Sequence, residues 1–151
     1  MKQIDREFVG FFFGDGSATL LQYNRKTRYK GKVKDYLLTR VQLAIVQRAD
    51  NLPLLKKIQK RYGGSIYKRN VNKHNMAGTK PAFQWIMTNF VKVKKLTDIL
   101  LQAEFPYRNI DAVKLVNEYC IWRSKQGTKL NGAKFPKEWK ERLKKSHKYQ
   151  E

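Results

Sequence analysis

The most apolar run in this sequence, Phe-Val-Gly-Phe-Phe-Phe-Gly-Asp-Gly, occupies residues 8–16. It predicts a helix that begins near Arg6 and ends near Gly14. Asp5 precedes this helix and is its predicted N-cap. Gly16 is the predicted stop signal, and the Ser-Ala-Thr-Leu-Leu segment that follows is typical of the start of a strand.

Two glycines within the run suggest how this helix packs. Gly10 and Gly14 are four positions apart, so both lie on one face of a helix. A face of small residues allows another backbone to approach closely. Asp15 is therefore expected at the C-terminal end of a helix that packs against another helix.

Two extended segments follow the helix. In residues 17–29, neither alternating face is distinctly apolar. In residues 36–48, apolar side chains occupy every second position of one face, namely Val41, Leu43 and Ile45. A basic turn at residues 30–32 lies between the segments, which indicates an antiparallel hairpin with one core face and one polar face on its second strand.

The middle of the chain predicts a helix and two more strands. Asp-Asn-Leu-Pro at residues 50–53 is a helix-start signal, and Gly63-Gly64 ends that helix. Residues 65–70 and 82–89 are predicted strands, with the polar loop 71–80 between them.

Two further helices complete the predicted domain. One covers residues 92–103, and the other begins at a cap, Asn109 or Asp111, and ends near Gly127. The order of helix, two strands, helix, two strands and then helices predicts an α+β domain with an antiparallel sheet. We assign it to residues 1–127, and residues 128–151 to a basic C-terminal extension with a short helix at about 136–145.

The charge balance points to an anionic partner. The chain has 33 basic and 12 acidic residues, a formal charge of +21. No apolar run is long enough to span a bilayer, and the basic residues do not follow one amphipathic helix, so nucleic acid is favoured over a membrane. Cys120 is the single cysteine, and His74 and His147 are distant in sequence, so neither a disulfide nor a zinc site is expected. We expect a protein of a reducing compartment that is not secreted.

The run at residues 8–16 resembles the LAGLIDADG motif of homing endonucleases. Its pattern of apolar, small, Gly, two apolar residues, a variable position and then small-Asp-Gly matches that motif without a gap. The order of predicted elements also resembles the αββαββα domain of this family over roughly residues 4–120. Phe13 departs from the pattern, because the family often has an acid there. The resemblance implies a saddle-shaped antiparallel sheet, followed here by extra C-terminal helices.

The resemblance also implies catalytic residues. Asp15 matches the acid that the family uses as a metal ligand, together with the carbonyl of Gly14, for Mg²⁺ or another divalent cation such as Mn²⁺ or Ca²⁺. Gln47 is the best-placed match to a polar residue that orients the attacking water, and an ordinary polar residue at a strand end explains it equally well. Arg108, with Lys114 as second choice, matches a basic residue that stabilises charge in the transition state, and an ordinary phosphate contact or solvated charge explains it at least as well. Taken as a bare tripeptide, Gly-Asp-Gly is better explained as a tight turn between helix and strand, and only the full nine-residue motif, the order of elements and the charge of +21 together favour the catalytic interpretation.

A single carboxylate per chain suffices if two chains meet. Hydrolysis of a phosphodiester requires a hard cation, which keeps most of its ligands as water and phosphate. Packing of two glycine faces would bring two Asp15 carboxylates together at a two-fold axis. The candidate interface residues are Phe8, Gly10, Phe11, Phe13 and Gly14.

Alternate side chains of the strands are candidates to face DNA, since a twisted antiparallel ribbon fits the major groove. Pattern alone selects Arg40, Gln42 and Ala44 on the second strand, and Gln84, Ile86 and Thr88 on the fourth. The resemblance selects Ser17, Thr19, Leu21, Tyr23 and Arg25 on the first strand, and Lys68 and Asn70, with Arg69 as an alternative, on the third. Expected phosphate contacts are Arg48, which follows Gln47, and the predicted loop residues Arg28, Lys30, Lys32, Lys73 and Lys80, although each loop residue is also compatible with a plain solvated charge.

Together these features predict a homodimeric homing endonuclease. It would bind a long, near-palindromic double-stranded DNA site and hydrolyse one phosphodiester in each strand. The first alternative is a protein of the same fold without cleavage, such as a maturase that binds intron RNA. The second is a generic basic RNA-binding domain, which has no need for Asp15 beside a glycine-faced helix. The resemblance implies a gene within a mobile intron or similar element. The sequence leaves the compartment open between an organelle that contains the target DNA, such as a chloroplast or mitochondrion, and bacterial cytoplasm.

Overall fold

The computed structural model describes residues 2–69, 81–103 and 107–126, together with Glu138, Trp139, Glu141 and Arg142. The predicted DNA contacts Asn70, Lys73 and Lys80 lie outside the described residues, as do both histidines and most of the C-terminal extension. No helix in the described part is both long and apolar enough to cross a membrane.

The chain forms four helices and one four-stranded sheet within these ranges. The elements, in order, are α1 (Gln3–Asp15), β1 (Gly16–Tyr29), β2 (Lys32–Arg48), a 3-10 turn (Ala49–Asn51), α2 (Leu52–Tyr62), β3 (Ser65–Lys68), β4 (Ala82–Met87), α3 (Phe90–Leu100) and α4 (Ile110–Lys125). All neighbouring strands are antiparallel, in the order β1-β2-β4-β3. The predicted α+β architecture and order of elements are confirmed.

The helices cover one face of the sheet. Each helix contacts at least one strand, and the core-facing residues alternate along the strands as the pattern in β2 predicted. Val41, Leu43 and Ile45 are fully buried, as is Trp85 of β4. In β1, whose pattern was ambiguous, Ala18 and Leu20 are the buried side chains. The sheet therefore has a helix-covered face and an open face.

The first helix begins earlier than predicted, and the predicted cap at Asp5 is wrong. The N-cap is Lys2, and Asp5 lies in the first turn. The Asp5 carboxylate is buried, accepts a 2.5 Å hydrogen bond from the Tyr62 hydroxyl, and lies 4.0 Å from the Arg61 guanidinium. Burial and the Asp5 carboxylate raise the pKa of Tyr62. Asp5 therefore ties α1 to the end of α2 instead of capping its own helix.

The β1–β2 hairpin extends beyond the rest of the sheet. It pairs from Gly16 and Ile45 as far as Tyr29 and Lys32, whereas β4 pairs only with residues 43–48 of β2. The two turn residues, Lys30 and Gly31, have φ of 50° and 74°, as in the two-residue turns that match the twist of a hairpin. The distal half of the hairpin is consequently a two-stranded ribbon.

The described part of the C-terminal extension packs on α4. Trp139 is buried and meets the Tyr119 ring edge-on, with 6.1 Å between ring centroids. Arg142 lies over the Trp139 ring and forms an ion pair with Glu118. The described part of the extension is thus anchored to α4 through an aromatic contact and an ion pair.

The junction between α1 and β1 requires glycine at position 16. A Cβ built on Gly16 would lie 2.6 Å from the Phe12 carbonyl oxygen and 2.7 Å from its ring. We expect Gly16→Ala to lower the free energy of unfolding by about 1–3 kcal/mol, the usual cost of overpacking a core. Chemical denaturation of the purified variant measures this. Gly10→Ala is the matched control, since a Cβ at Gly10 meets nothing within 4 Å in the chain; equal unfolding free energies for both variants would contradict the packing argument.

Candidate active site and nucleic-acid interface

Asp15 lies at the point where α1 becomes β1. It is the last residue of α1, its side chain is exposed, and the N–H of the next residue, Gly16, donates to the Phe12 carbonyl. The carbonyl of Gly14 is among those that a helix end leaves without an intrahelical partner, and these carbonyls carry partial negative charge. A carboxylate and a carbonyl, both hard oxygen donors, therefore share the end of α1.

Gln47 contacts Asp15 directly. Its Nε2 donates a 2.7 Å hydrogen bond to Asp15 Oδ2, across 32 positions of sequence. The contact follows from the hairpin register, which places Gly16 opposite Ile45, two residues before Gln47 on the same face of β2. Gln47 is buried, with 8% of its surface exposed. The structure therefore brings together two of the three predicted catalytic side chains.

Asn51 is a site residue that the sequence analysis missed. We assigned it to the cap signal of α2, but its side chain makes no cap hydrogen bond. Instead its Nδ2 donates a 2.8 Å hydrogen bond to Gln47 Oε1. The only sequence signal was its position four residues after Gln47, at the turn between β2 and α2.

The N-terminus of α4 is tied to the same junction. Of the two predicted caps, Asn109 and Asp111, Asn109 occupies the N-cap position of α4, but its side chain does not cap the helix. Instead its Nδ2 donates a 3.1 Å hydrogen bond to the Gly16 carbonyl. The preceding residue, Arg108, is exposed in the turn before α4, and Lys114 is exposed about one turn into the helix. Asn109 thus holds the backbone that carries Arg108 beside the backbone that carries Asp15.

The residues at this junction fit a divalent cation with oxygen ligands. In the described ranges no three His, Cys, Asp or Glu side chains are grouped as a metal site, so a cage of several carboxylates is not formed there. Mg²⁺ usually binds one or two carboxylates and keeps several waters. The exposed Asp15 carboxylate and the carbonyls at the end of α1 match that preference. Cys120 is buried within the core, and burial raises its pKa to about 11, so it remains a protonated core thiol.

The open face of the sheet is basic. The residues on this face, identified from the strand register, include Ser17, Thr19, Leu21, Arg25, Arg40, Gln42, Ala44, Arg48, Gln84 and Ile86. Tyr23 occupies a register position in the same row, opposite Leu38. The only acidic residue of the four strands, Asp35, pairs with Lys26 on the other side of the hairpin. The open face therefore presents cations and hydrogen-bonding groups without an opposing negative charge.

The register corrects several predicted positions. Lys68 lies opposite Phe83, on the helix-covered side at the end of β3, so the alternative Arg69, whose N–H donates to the Ala82 carbonyl, belongs to the open face. Tyr67, which we did not predict, is 56% exposed on the open face opposite Gln84.

Three other predicted contacts lie elsewhere than expected. Arg28 and Lys32 lie in β1 and β2 and not in loops, with Arg28 on the reverse side of the hairpin; Lys30 is in the turn, as predicted. Thr88 follows the end of β4 and is exposed.

Fewer residues than predicted are open on the outward face of α1. Gly10 and Gly14 are exposed, and a Cβ at either would meet nothing within 4 Å. Phe8 is wrong as an interface residue, because it is buried against the rings of Tyr62 and Trp85 on the opposite side of the helix. Phe11 faces the groove between α1 and α2.

Phe13 also has a partner within the chain. Its ring stacks on Tyr107, with 4.2 Å between centroids and 9° between planes. Only the two glycines of the predicted interface set are left fully open, as their spacing along the helix predicted.

Comparisons with known proteins identify the family of the chain. The family model described as LAGLIDADG endonuclease matches residues 8–111, so the chain belongs to the LAGLIDADG endonuclease family. The match begins at Phe8 and includes the motif that ends at Asp15 and Gly16, as well as Gln47, Asn51 and the start of α4.

Solved structures with the same fold include two DNA complexes. One is I-SmaMI bound to an uncleaved DNA target in the presence of calcium ions, with 17% identity, a TM-score of 0.62, and coverage of 94% of this chain and 42% of that one. Another is the LAGLIDADG homing endonuclease I-LtrWI bound to target DNA, with 12% identity, a TM-score of 0.63, and coverage of 93% and 42%. The chain thus spans less than half the length of these proteins. No curated protein sequence matches it significantly.

Proposed function

We propose that this protein is a site-specific homing endonuclease that acts as a homodimer on double-stranded DNA. The observation that carries the proposal is the contact between Asp15 and Gln47 at the end of a helix whose glycine face is open. A tight turn alone would require glycine at position 16, but it would not require a buried amide directed at an exposed carboxylate. The family match supports the same activity.

The chemistry would depend on a divalent cation, for which we propose Mg²⁺, with Mn²⁺ or Ca²⁺ able to occupy the same ligands. When bound, the cation lowers the pKa of a water and offsets charge on the phosphate. Asp15 and the Gly14 carbonyl would hold it, and Gln47 would fix the Asp15 carboxylate and the adjacent solvent. Arg108 would donate to the phosphate, as guanidinium groups do to phosphate oxygens.

The dimer would form through the outward face of α1. Each chain supplies one Asp15, and cleavage of both strands requires two such groups, which a two-fold axis provides. Gly10 and Gly14 would let the two helices approach closely. The lengths of the DNA-bound neighbours are consistent with this, because one copy of the chain covers only 42% of each.

The open face of the sheet would lie against the duplex. Its polar side chains, such as Gln42 and Gln84, have the groups that pair with base edges, while Arg25, Arg40 and Arg48 suit guanine edges or phosphates. With two copies related by a dyad, the site would be long and near-palindromic. Residues of the distal hairpin would reach its outer positions.

Selection of cleaved products from a random duplex library, in the presence of Mg²⁺, tests this proposal. We expect one family of near-palindromic sites, cut once in each strand, with no products when the cation is chelated. If the protein binds intron RNA and no duplex is cleaved, the maturase alternative is correct. We further propose that the protein works in a reducing compartment that contains its target, an organelle or the bacterial cytoplasm, and fractionation of the source cells would test that.

A further inference from the structure

The hydrogen bonds around Gln47 form a chain with a fixed direction. Asn51 Nδ2 donates to Gln47 Oε1 at 2.8 Å, and Gln47 Nε2 donates to Asp15 Oδ2 at 2.7 Å. The two ends of a glutamine amide have almost the same shape, so hydrogen-bond partners decide which end points where. Since Gln47 is buried, its amide cannot exchange these partners freely for water.

We propose that Asn51 is a positioning residue, which acts by holding the Gln47 amide with its N–H₂ end toward Asp15. This inference rests on the proposed function of the Asp15 site. With Oε1 occupied by Asn51, Gln47 faces the site only as a hydrogen-bond donor. One N–H is used by Asp15, and the second would be available to an oxygen atom of the substrate phosphate.

The position of Asn51 agrees with this role. Asn51 is exposed, lies in the turn between β2 and α2, and makes no side-chain cap hydrogen bond to α2. Its replacement removes no capping bond and leaves no cavity in the core. The described contact it makes with a side chain is the one with Gln47, so its loss should be felt at Gln47 and not in the stability of the fold.

Three substitutions of Asn51 test the proposal. Asn51→Ala removes the donor, and Asn51→Asp keeps the shape but offers only acceptors, which would turn the Gln47 amide around. We expect each to slow single-turnover cleavage of the selected site by about 10- to 100-fold, as loss of a residue that orients a ligand does. Asn51→His, which retains a donor of similar reach, should recover much of the rate. The thermal midpoint should change little in all three variants, and the Kd for DNA should change little in Asn51→Ala and Asn51→His, whereas the added negative charge of Asn51→Asp should weaken DNA binding.

A double-mutant cycle separates positioning from a general structural role. If Asn51 acts through Gln47, Asn51→Ala should have no further effect on the rate in a Gln47→Ala background. Additive losses in the double variant would overturn the proposal. So would a thermal midpoint that falls in parallel with the rate.

A second readout does not depend on cleavage. In the cation-free protein, the side-chain amide NMR signals of Gln47 should shift and exchange faster in Asn51→Ala, and recover in Asn51→His. Unchanged Gln47 signals in Asn51→Ala would overturn the proposal. If the unmodified protein cleaves no duplex, the proposed function fails, but these signals still decide whether Asn51 holds Gln47.

Discussion

Asp15→Asn is expected to abolish cleavage and to leave duplex binding almost unchanged. The substitution keeps the size of the side chain but removes the charge that would hold the cation. A bound metal ion contributes several kcal/mol to stabilising a developing charge, and each 1.36 kcal/mol is tenfold in rate, so we expect a loss of about a thousandfold or more. Single-turnover cleavage of the selected site with Mg²⁺ measures the rate, and titration of labelled duplex with Ca²⁺ measures binding.

A charge-matched control isolates the chemistry from the electrostatics of binding. Asp35→Asn also removes one negative charge, but Asp35 lies on the reverse side of the hairpin opposite Lys26. Both variants should bind duplex at least as tightly as the unmodified protein, because each has one negative charge fewer. Cleavage that survives Asp15→Asn, or that falls equally in Asp35→Asn, would show that the metal is held elsewhere.

The fold was predictable from sequence wherever one local signal dominated. In strand β2 the predicted core residues Val41, Leu43 and Ile45 are buried, although Ala44, which was predicted to face DNA, is buried as well. Gly63 and Gly64 end α2 as predicted, and the reason is partly tertiary: a Cβ at Gly64 would lie 2.6 Å from Trp85 Nε1, whose N–H donates to the Gly63 carbonyl. The glycines that end a helix can be recognised in the sequence, but the contact with Trp85 that requires glycine at position 64 cannot.

Polar side chains near helix ends were the least predictable. Asp5, Asn51 and Asn109 each match a capping signal, and none of the three caps its helix with its side chain. Each side chain instead forms a hydrogen bond with another element, because a tertiary partner lies close enough to compete with the local backbone. Two of these partners belong to the Asp15 site, so the residues that sequence alone assigned to local structure are the ones that assemble it.

The residues of the site also differ in how far the sequence predicts them. Asp15 and Gln47 were found through the motif and the end of β2, since hairpin register fixes their proximity. The face of Lys68 could not be fixed, because the adjacent Ile66 and Tyr67 give this four-residue strand no clear alternation, and a shift of one residue reverses every side chain. Phe8 was misassigned because an apolar residue in a helix next to a glycine face belongs equally well to either interface.

Gly10→Leu is expected to separate the dimer while the chain stays folded. Within one chain, nothing lies within 4 Å of a Cβ at Gly10, so a larger side chain there disturbs no packing. In a dimer built on this face, the same side chain would enter the interface from both copies. Overpacking costs about 1–3 kcal/mol at one site, and symmetry doubles it, so we expect the dissociation constant to rise about 30-fold or more. Sedimentation over a range of concentrations measures this, and cleavage should decline with the dimer population.

The effect of Gly10→Ala on stability should change sign between the isolated chain and the dimer. A glycine in an exposed helix interior costs roughly 1 kcal/mol relative to alanine, so Gly10→Ala should raise the unfolding free energy of an isolated chain by about that amount. In a dimer in which α1 is buried against its symmetry mate, Gly10→Ala should weaken assembly. The variant should then be less stable than the unmodified protein at concentrations where both are dimeric, and more stable at dilutions where both are monomeric. Lys56→Leu, on the exposed face of α2, is the control for added apolar surface. A Gly10→Leu protein that remains dimeric and cleaves normally would place the interface elsewhere and leave the open glycines without a function.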